Sequence, residues 1–171
     1  MDLTTSSKRN TFSVSKSDQP LIEITMTTFD SIQSNGLISI CIKKKTGYET
    51  ALAESLGWTA IDARLYDAVK ADGSKIEFKK QSGQQWFDLV KLAEYAEDNE
   101  DIEILWFMHD GGVVQSVHTC TYAELIKHKD ITPLQLNATA LYAQMTEGLN
   151  IQIKFPVNKS MIQSFPLVWE R

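Results

Sequence analysis

The chain predicts an α/β (α+β) domain with a central mixed sheet flanked by helices. Three observations carry this. Ile102 to Met108 is the most hydrophobic run in the protein, of strand length, and fits a central strand covered on both faces. Tyr66 to Lys70 and Lys75 to Lys80 alternate apolar and polar residues around β-branched and aromatic positions on either side of a turn. Trp86 to Glu97 carries apolar residues at helical spacing, with Trp86, Phe87, Leu89, Val90 and Ala93 forming one face.

The chain has 171 residues, 43% of them hydrophobic, enough for one domain with a sizeable core over residues 20–171. Residues 1–19, rich in Ser, Thr and Lys, read as a flexible N-terminal arm; Lys8, Arg9 and Lys16 lie on it. Two cysteines, Cys41 and Cys120, imply a reduced intracellular (cytoplasmic) setting without a disulfide framework. No stretch reaches transmembrane length, so no membrane partner is expected. The sequons at Asn137 and Asn158 then read as accidental. The net charge of −5 does not itself indicate a nucleic-acid binder, although local placement of Lys and Arg matters more than the total.

Taken in order, Leu21 to Met26 and Leu37 to Ile42 read as strands. Between them lie a short helix at Phe29 to Gln33 and a turn at Asn35-Gly36. Lys43-Lys44-Lys45 follows, either a solvated face or a phosphate contact. Tyr48 to Leu56 predicts a helix stopped by Gly57. After the hairpin, Lys80, Gln81, Ser82, Gln84 and Gln85 form a polar stretch that suits either groove contacts or the loop into the next helix. Asp110-Gly111-Gly112 turns the central strand into a second hairpin strand, Val113 to His118. Thr121 to Glu124 reads as a capping box opening a short helix. His109, His118 and Cys120 match no zinc spacing and read as structural. Pro133 to Glu147 predicts a helical or irregular segment, Asn150 to Phe155 a strand, and the tail from Lys159 packs on the body.

The chemistry concentrates in the first hairpin, and the length of its turn decides the chemistry. A two-residue Asp72-Gly73 loop would pair Asp67 with Phe78 and send Glu77 to the opposite face. A three-residue loop, Ala71 to Gly73 with Gly73 left-handed, pairs Lys70 with Ser74 and Asp67 with Glu77. The second form brings two carboxylates face to face, about 5 Å apart at Cβ, with Lys79 on the same side. Two ionised carboxylates at that distance call for a cation between them. Oxygen donors favour Mg²⁺ or Mn²⁺ over zinc. A metal and a neighbouring lysine suit attack on a phosphodiester. Asp62 competes with Asp67 but demands a longer pairing. Glu54, on the preceding helix, is a further candidate ligand or a solvent-facing helix residue. There is no nucleophile elbow and no glycine-rich phosphate loop.

Asp67, followed after nine residues by Glu77-Phe78-Lys79, resembles the PD-(D/E)xK nuclease superfamily. Asp67-Ala68-Val69 with Gly73 before Glu77-Phe78-Lys79 looks most like the small PvuII-type type II restriction endonucleases. The likeness spans about sixteen residues, and Tyr66 replaces the proline that usually precedes the first Asp. The resemblance implies an αβββαβ restriction-endonuclease-like core. It implies metal ligation by Asp67, Glu77 and the Phe78 backbone carbonyl, and a water-placing role for Lys79. It further implies products that carry a 5′-phosphate. The leading expectation is a Mg²⁺-dependent endonuclease that cuts double-stranded DNA at a short site, and cutting both strands of a pseudo-palindromic site favours a homodimer. Two alternatives stand beside it: a repair, resolvase or structure-specific nuclease of the same fold, and a non-catalytic DNA-binding or regulatory domain.

Overall fold

The computed structural model describes residues 29–98, 101–133, 135–147 and 154–171. The expected N-terminal arm and the strand at Leu21 to Met26 lie outside these residues, as do Asn150 to Ile153 of the late strand.

A short helix, α1, covers 29–34. The chain continues through α2 (Leu37–Lys43), α3 (Tyr48–Ser55), β1 (Thr59–Ala60), β2 (Ala68–Val69), β3 (Lys75–Gln81), β4 (Gln85–Asp88) and α4 (Leu89–Asp98). It ends with β5 (Ile102–Asp110), β6 (Val113–Thr121), α5 (Tyr122–His128), α6 (Ala138–Thr146), β7 (Lys154–Val157), α7 (Lys159–Gln163) and β8 (Leu167–Glu170). The main sheet has the order β1-β2-β3-β5-β6-β8, with β3 and β5 parallel and the other pairs antiparallel. β4 and β7 form a separate antiparallel pair. The architecture is a central mixed sheet with helices on both faces. Among the described residues no helix is long and apolar enough to cross a membrane.

β5 is the axis of the core. Its odd residues Leu105 and Phe107 pack with Phe29, Ile38, Leu52 and Phe78 beneath α1 to α3. Its even residues Ile104, Trp106 and Met108 pack with Phe87, Leu92, Tyr122 and Ile162 on the opposite face. Both faces are covered, which explains a run with almost no alternation. The structural reading of the His and Cys residues fits what is seen there. Cys120 is buried, accepts from the Trp106 indole at 3.3 Å, and is pushed up to about 12, chiefly by burial. Buried His118 lies 3.1 Å from both the Ser116 hydroxyl and the Phe165 carbonyl. The capping box is present: Thr121 Oγ1 accepts from Glu124 N, and the Glu124 carboxylate accepts from Thr121 N.

Three expectations need correction. Leu37 to Ile42 is helical, not a strand. Ile38, Cys41 and Ile42 are buried while Leu37 and Ile40 are exposed, a helical spacing hidden inside an apolar run. The helix expected from Trp86 begins at Leu89. Residues 85–88 form β4 instead, and Trp86, placed on the apolar face by the helical reading, is 56% exposed. Asp88 accepts from Val90 N at 2.8 Å and marks the true start. The tail does more than pack, because β8 extends the sheet beside β6.

The first hairpin has the three-residue loop. Ala68 pairs with Ile76 and Val69 with Lys75. Lys70 N donates to Ser74 O, and Gly73 N to Lys70 O. Gly73 sits at φ 87°, and a Cβ added there would meet nothing within 4 Å. Backbone conformation alone therefore demands glycine. Gly73→Ala is expected to lower stability by about 1 kcal/mol in urea unfolding. An unchanged midpoint would show that the loop relaxes to another turn type.

Candidate active site

β2 pairs no further along β3 than Ala68 opposite Ile76, but β3 runs on to Gln81, so the main-chain groups of Phe78 on that side have no strand to meet. Side chains take them. Asp67 Oδ2 accepts from Phe78 N at 2.7 Å, and Tyr48 on α3 donates its hydroxyl to Phe78 O at 3.3 Å. Satisfying a buried ladder end in this way holds Asp67 against β3. Asp67 N donates to Ile76 O, the carbonyl of Ala68's own partner, so the ladder stops at Ala68 and Asp67 leaves it in a bend. The expected pairing of Asp67 with Glu77 is not formed, and the Asp67 side chain reaches β3 through the Phe78 N–H instead.

Glu77, Lys79 and Gln81 are successive residues on one face of β3 and lie beside Ile104, Trp106 and Met108 of β5. A polar row thus runs next to an apolar one, under α4. Glu77 is 1% exposed, so the strand face that carries it is covered rather than an open cleft. Its Oε1 accepts from the Lys79 ammonium and from Lys91, which comes from the first turn of α4. Its Oε2 is buried and has no hydrogen-bond partner. Lys79 also lies over the Phe87 ring, 5.6 Å from its centroid.

The two carboxylates feel each other. Asp67 is pushed up to about 7, first by burial and then by the Glu77 charge, against the pull of the Phe78 N–H and the lysines. Lys91 is pushed down, first by burial and then by Lys79. Tyr48 is pushed up by burial and then by Glu49. Tyr122, whose hydroxyl donates to Leu65 O at 2.8 Å, is pushed up by burial and then by Glu77.

Among the described residues no three His, Cys, Asp or Glu side chains gather into a metal cage. The groups here that could hold a cation are Asp67, Glu77 and the Phe78 carbonyl, which also accepts from Tyr48. This set fits a hard divalent cation on two observations: an orphaned carboxylate oxygen, and a neighbouring carboxyl pushed up to about 7 by burial and then by the Glu77 charge. Glu54, the further ligand candidate, is exposed on α3. Half-buried Glu49, one turn earlier, is the α3 carboxylate that acts on Tyr48. Asp62 is exposed in the loop between β1 and β2.

The expected DNA-contact residues divide into two groups. Lys43, Lys44, Lys45, Ser82 and Gln84 are exposed. The others are engaged within the fold. Lys80 donates to Ile42 O at 3.0 Å and Lys44 O at 2.8 Å, capping the end of α2, and stacks over Tyr48. Gln81 is 1% exposed and donates to Val157 O at 2.8 Å, so its reading as a groove contact gives way to a tie between β3 and β7. Gln85 Nε2 donates to Lys80 O. Lys91 is the residue that motif reasoning missed. A lone cation inside Leu89-Val90-Lys91-Leu92-Ala93 was the available signal, since its four neighbours are all buried.

The raised Asp67 gives a sign that can be checked. The folded state holds this proton more tightly than the unfolded chain does. The resulting stability is present at low pH and is lost as pH rises towards the folded value of about 7. Asp67→Asn keeps an oxygen for the Phe78 N–H and removes the charge. It is expected to be more stable than wild type at pH 8, by on the order of 2 kcal/mol, and indistinguishable near pH 4. Thermal unfolding at the two pH values measures this, and a gap of the same size at both would refute it.

No protein-family model matches the sequence, and no curated protein matches it.

Proposed function

We propose that the chain is a Mg²⁺-dependent endonuclease that hydrolyses phosphodiester bonds of double-stranded DNA, acting at a specific site in the manner of a type II restriction endonuclease. The observation that carries this is Glu77: a buried carboxylate close enough to Asp67 for each to feel the other's charge, one oxygen tied to lysine and the other without a partner. The order α3-β1-β2-β3-β4-α4-β5 supports it, since without β4, which belongs to the separate pair with β7, it follows the αβββαβ order of the superfamily that the hairpin resembles. Asp67, Glu77 and the Phe78 carbonyl would hold the cation. Mg²⁺, or Mn²⁺ in its place, supplies a polarised phosphoryl oxygen and an acidified water when bound. Lys79 has a half-buried ammonium beside Glu77 and places the attacking water while offsetting charge that develops on phosphorus oxygens. The Phe87 ring and the β4–β7 pair exclude bulk water from one side of that ammonium.

Lys43 to Lys45 and the Ser82–Gln84 loop lie at the same end of β3, as the bonds of Lys80 to Ile42 and Lys44 show, and form the phosphate- and groove-facing surface. Cutting both strands of a two-fold site calls for a homodimer. Incubation of the protein with several long duplexes and Mg²⁺ tests the proposal. Discrete fragments with 5′-phosphate ends support it. Cutting confined to junctions or flaps moves the assignment to a repair or resolvase nuclease, and intact DNA with Mg²⁺ and with Mn²⁺ sinks both.

One observation favours a second reading. Lys79 and Lys91 together neutralise Asp67 and Glu77, so the four groups also make sense as a buried ion cluster in a non-catalytic domain. That reading predicts no Mn²⁺ binding and no cleavage.

A further inference from the structure

The two oxygens of Glu77 are in opposite states. Lys79 and Lys91 both donate to Oε1, whereas Oε2 is buried without a partner. A glutamate serving only as a buried counter-ion would do better with one lysine on each oxygen. A bare buried carboxylate oxygen carries its full desolvation penalty, and a second cation on an already bonded oxygen recovers little of it. Convergence on Oε1 therefore needs a reason.

The two lysines are also mounted differently. Lys79 stands on the strand face with its side chain 26% exposed, within reach of an incoming phosphate. Lys91 is 17% exposed and rooted in α4 between Val90, 2% exposed, and Leu92 and Ala93, both 0%. One is placed to move, the other to stay.

We propose that Lys91 is a positioning residue: from α4 it fixes Glu77 Oε1, so that Oε2 is presented to a divalent cation beside Asp67 while Lys79 is released to the scissile phosphate. The inference rests on the cation-binding reading of Asp67 and Glu77 given above. It adds a second lysine, outside the hairpin motif, on which that site depends.

The sign of one measurement separates anchoring from plain electrostatics. Removing a positive charge close to a cation site tightens cation binding if Coulomb terms alone act. Removing the anchor of a ligating carboxylate weakens it, by about 10–100-fold for the outer-shell partners of metal ligands. The experiment is Mn²⁺ titration by calorimetry on the full chain without DNA, comparing wild type, Lys91→Met and Lys91→Arg, with thermal unfolding of each. Lys91→Met is expected to bind Mn²⁺ at least about 10-fold more weakly, with Lys91→Arg close to wild type. If Lys91→Met does not fold, Lys91→Gln, which keeps an N–H donor and loses only the charge, takes its place and is expected to be several-fold weaker. Equal or tighter Mn²⁺ binding in a folded Met or Gln variant overturns the anchoring role while leaving the metal site standing. Absence of Mn²⁺ binding in wild type overturns the metal site itself, and the anchoring role with it.

Discussion

Lys79→Ala is expected to give a folded protein that cleaves DNA about 10²–10³-fold more slowly, the loss typical of removing one donor aimed at developing charge. Folding should survive, for reasons visible in the site. Lys79 is the more exposed of the two lysines on Glu77, and Lys91 keeps Glu77 Oε1 compensated after the truncation. Thermal unfolding should therefore show only a small shift. The loss should fall on kcat with little change in KM, since an ammonium that engages charge only as it develops does not contribute to ground-state binding. Lys79→Arg is not a rescue. A planar fork on a longer side chain cannot occupy the place of a compact ammonium between Glu77 and the Phe87 ring. Wild-type rates in a folded Lys79→Ala protein would remove this residue from the chemistry, whatever the wild type cleaves.

The hairpin was legible because its register follows from a local rule. Ala-Asp-Gly-Ser offers two turn lengths, and the three-residue form with left-handed Gly73 is the one that the bonds of Lys70, Ser74 and Gly73 display. The central strand was legible for a similar reason: Ile102 to Met108 is too apolar and too short to be anything but covered on both faces. What failed were short segments whose state depends on distant partners. Leu37 to Ile42 is apolar at nearly every position, so its period carries no information, and the contacts of Ile38 and Ile42 beneath the sheet decide for a helix. Residues 85–88 form a strand because Lys154 to Val157, about seventy positions later, lies alongside them. The site divides the same way. Asp67, Glu77 and Lys79 share one hairpin, so local geometry brings them near each other, although the ladder stops at Ala68 and Asp67 reaches β3 through the Phe78 N–H rather than by pairing with Glu77. Lys91 reaches Glu77 only through the packing of α4 on the sheet, and the burial of Glu77 comes from that same packing. A motif gives the order of its own side chains along a strand. It says nothing about what lies over them.

That cover makes Glu77 the position where substitution should damage the fold most. At 1% exposure, with two ammonium groups on Oε1, it is a buried charge whose partners are also shielded. Glu77→Ala leaves Lys79 and Lys91 facing each other with no anion between them, in a place already hostile enough to push Lys91 down. Breaking a buried ion pair from one side costs about 3–5 kcal/mol. A domain of this size has about 5–15 kcal/mol in all, so the variant should unfold at a much lower urea concentration. Loss of activity in Glu77→Ala alone would then report on folding as much as on chemistry. Two further variants separate the causes. Glu77→Gln preserves volume and an acceptor oxygen and should cost less, about 1–3 kcal/mol, while removing the charge that a cation needs. Glu77→Leu combined with Lys91→Met replaces the buried pair by apolar side chains, an exchange that is often neutral or stabilising. If the penalty in Glu77→Ala comes from stranded charge, the double variant unfolds at a higher urea concentration than the single one, although it carries more substitutions. If instead it comes from the cavity left by the side chain, Glu77→Leu alone restores the midpoint and the Lys91 change adds nothing. A Glu77→Ala protein as stable as wild type would mean that water reaches both lysines, and the cluster would then be an open one.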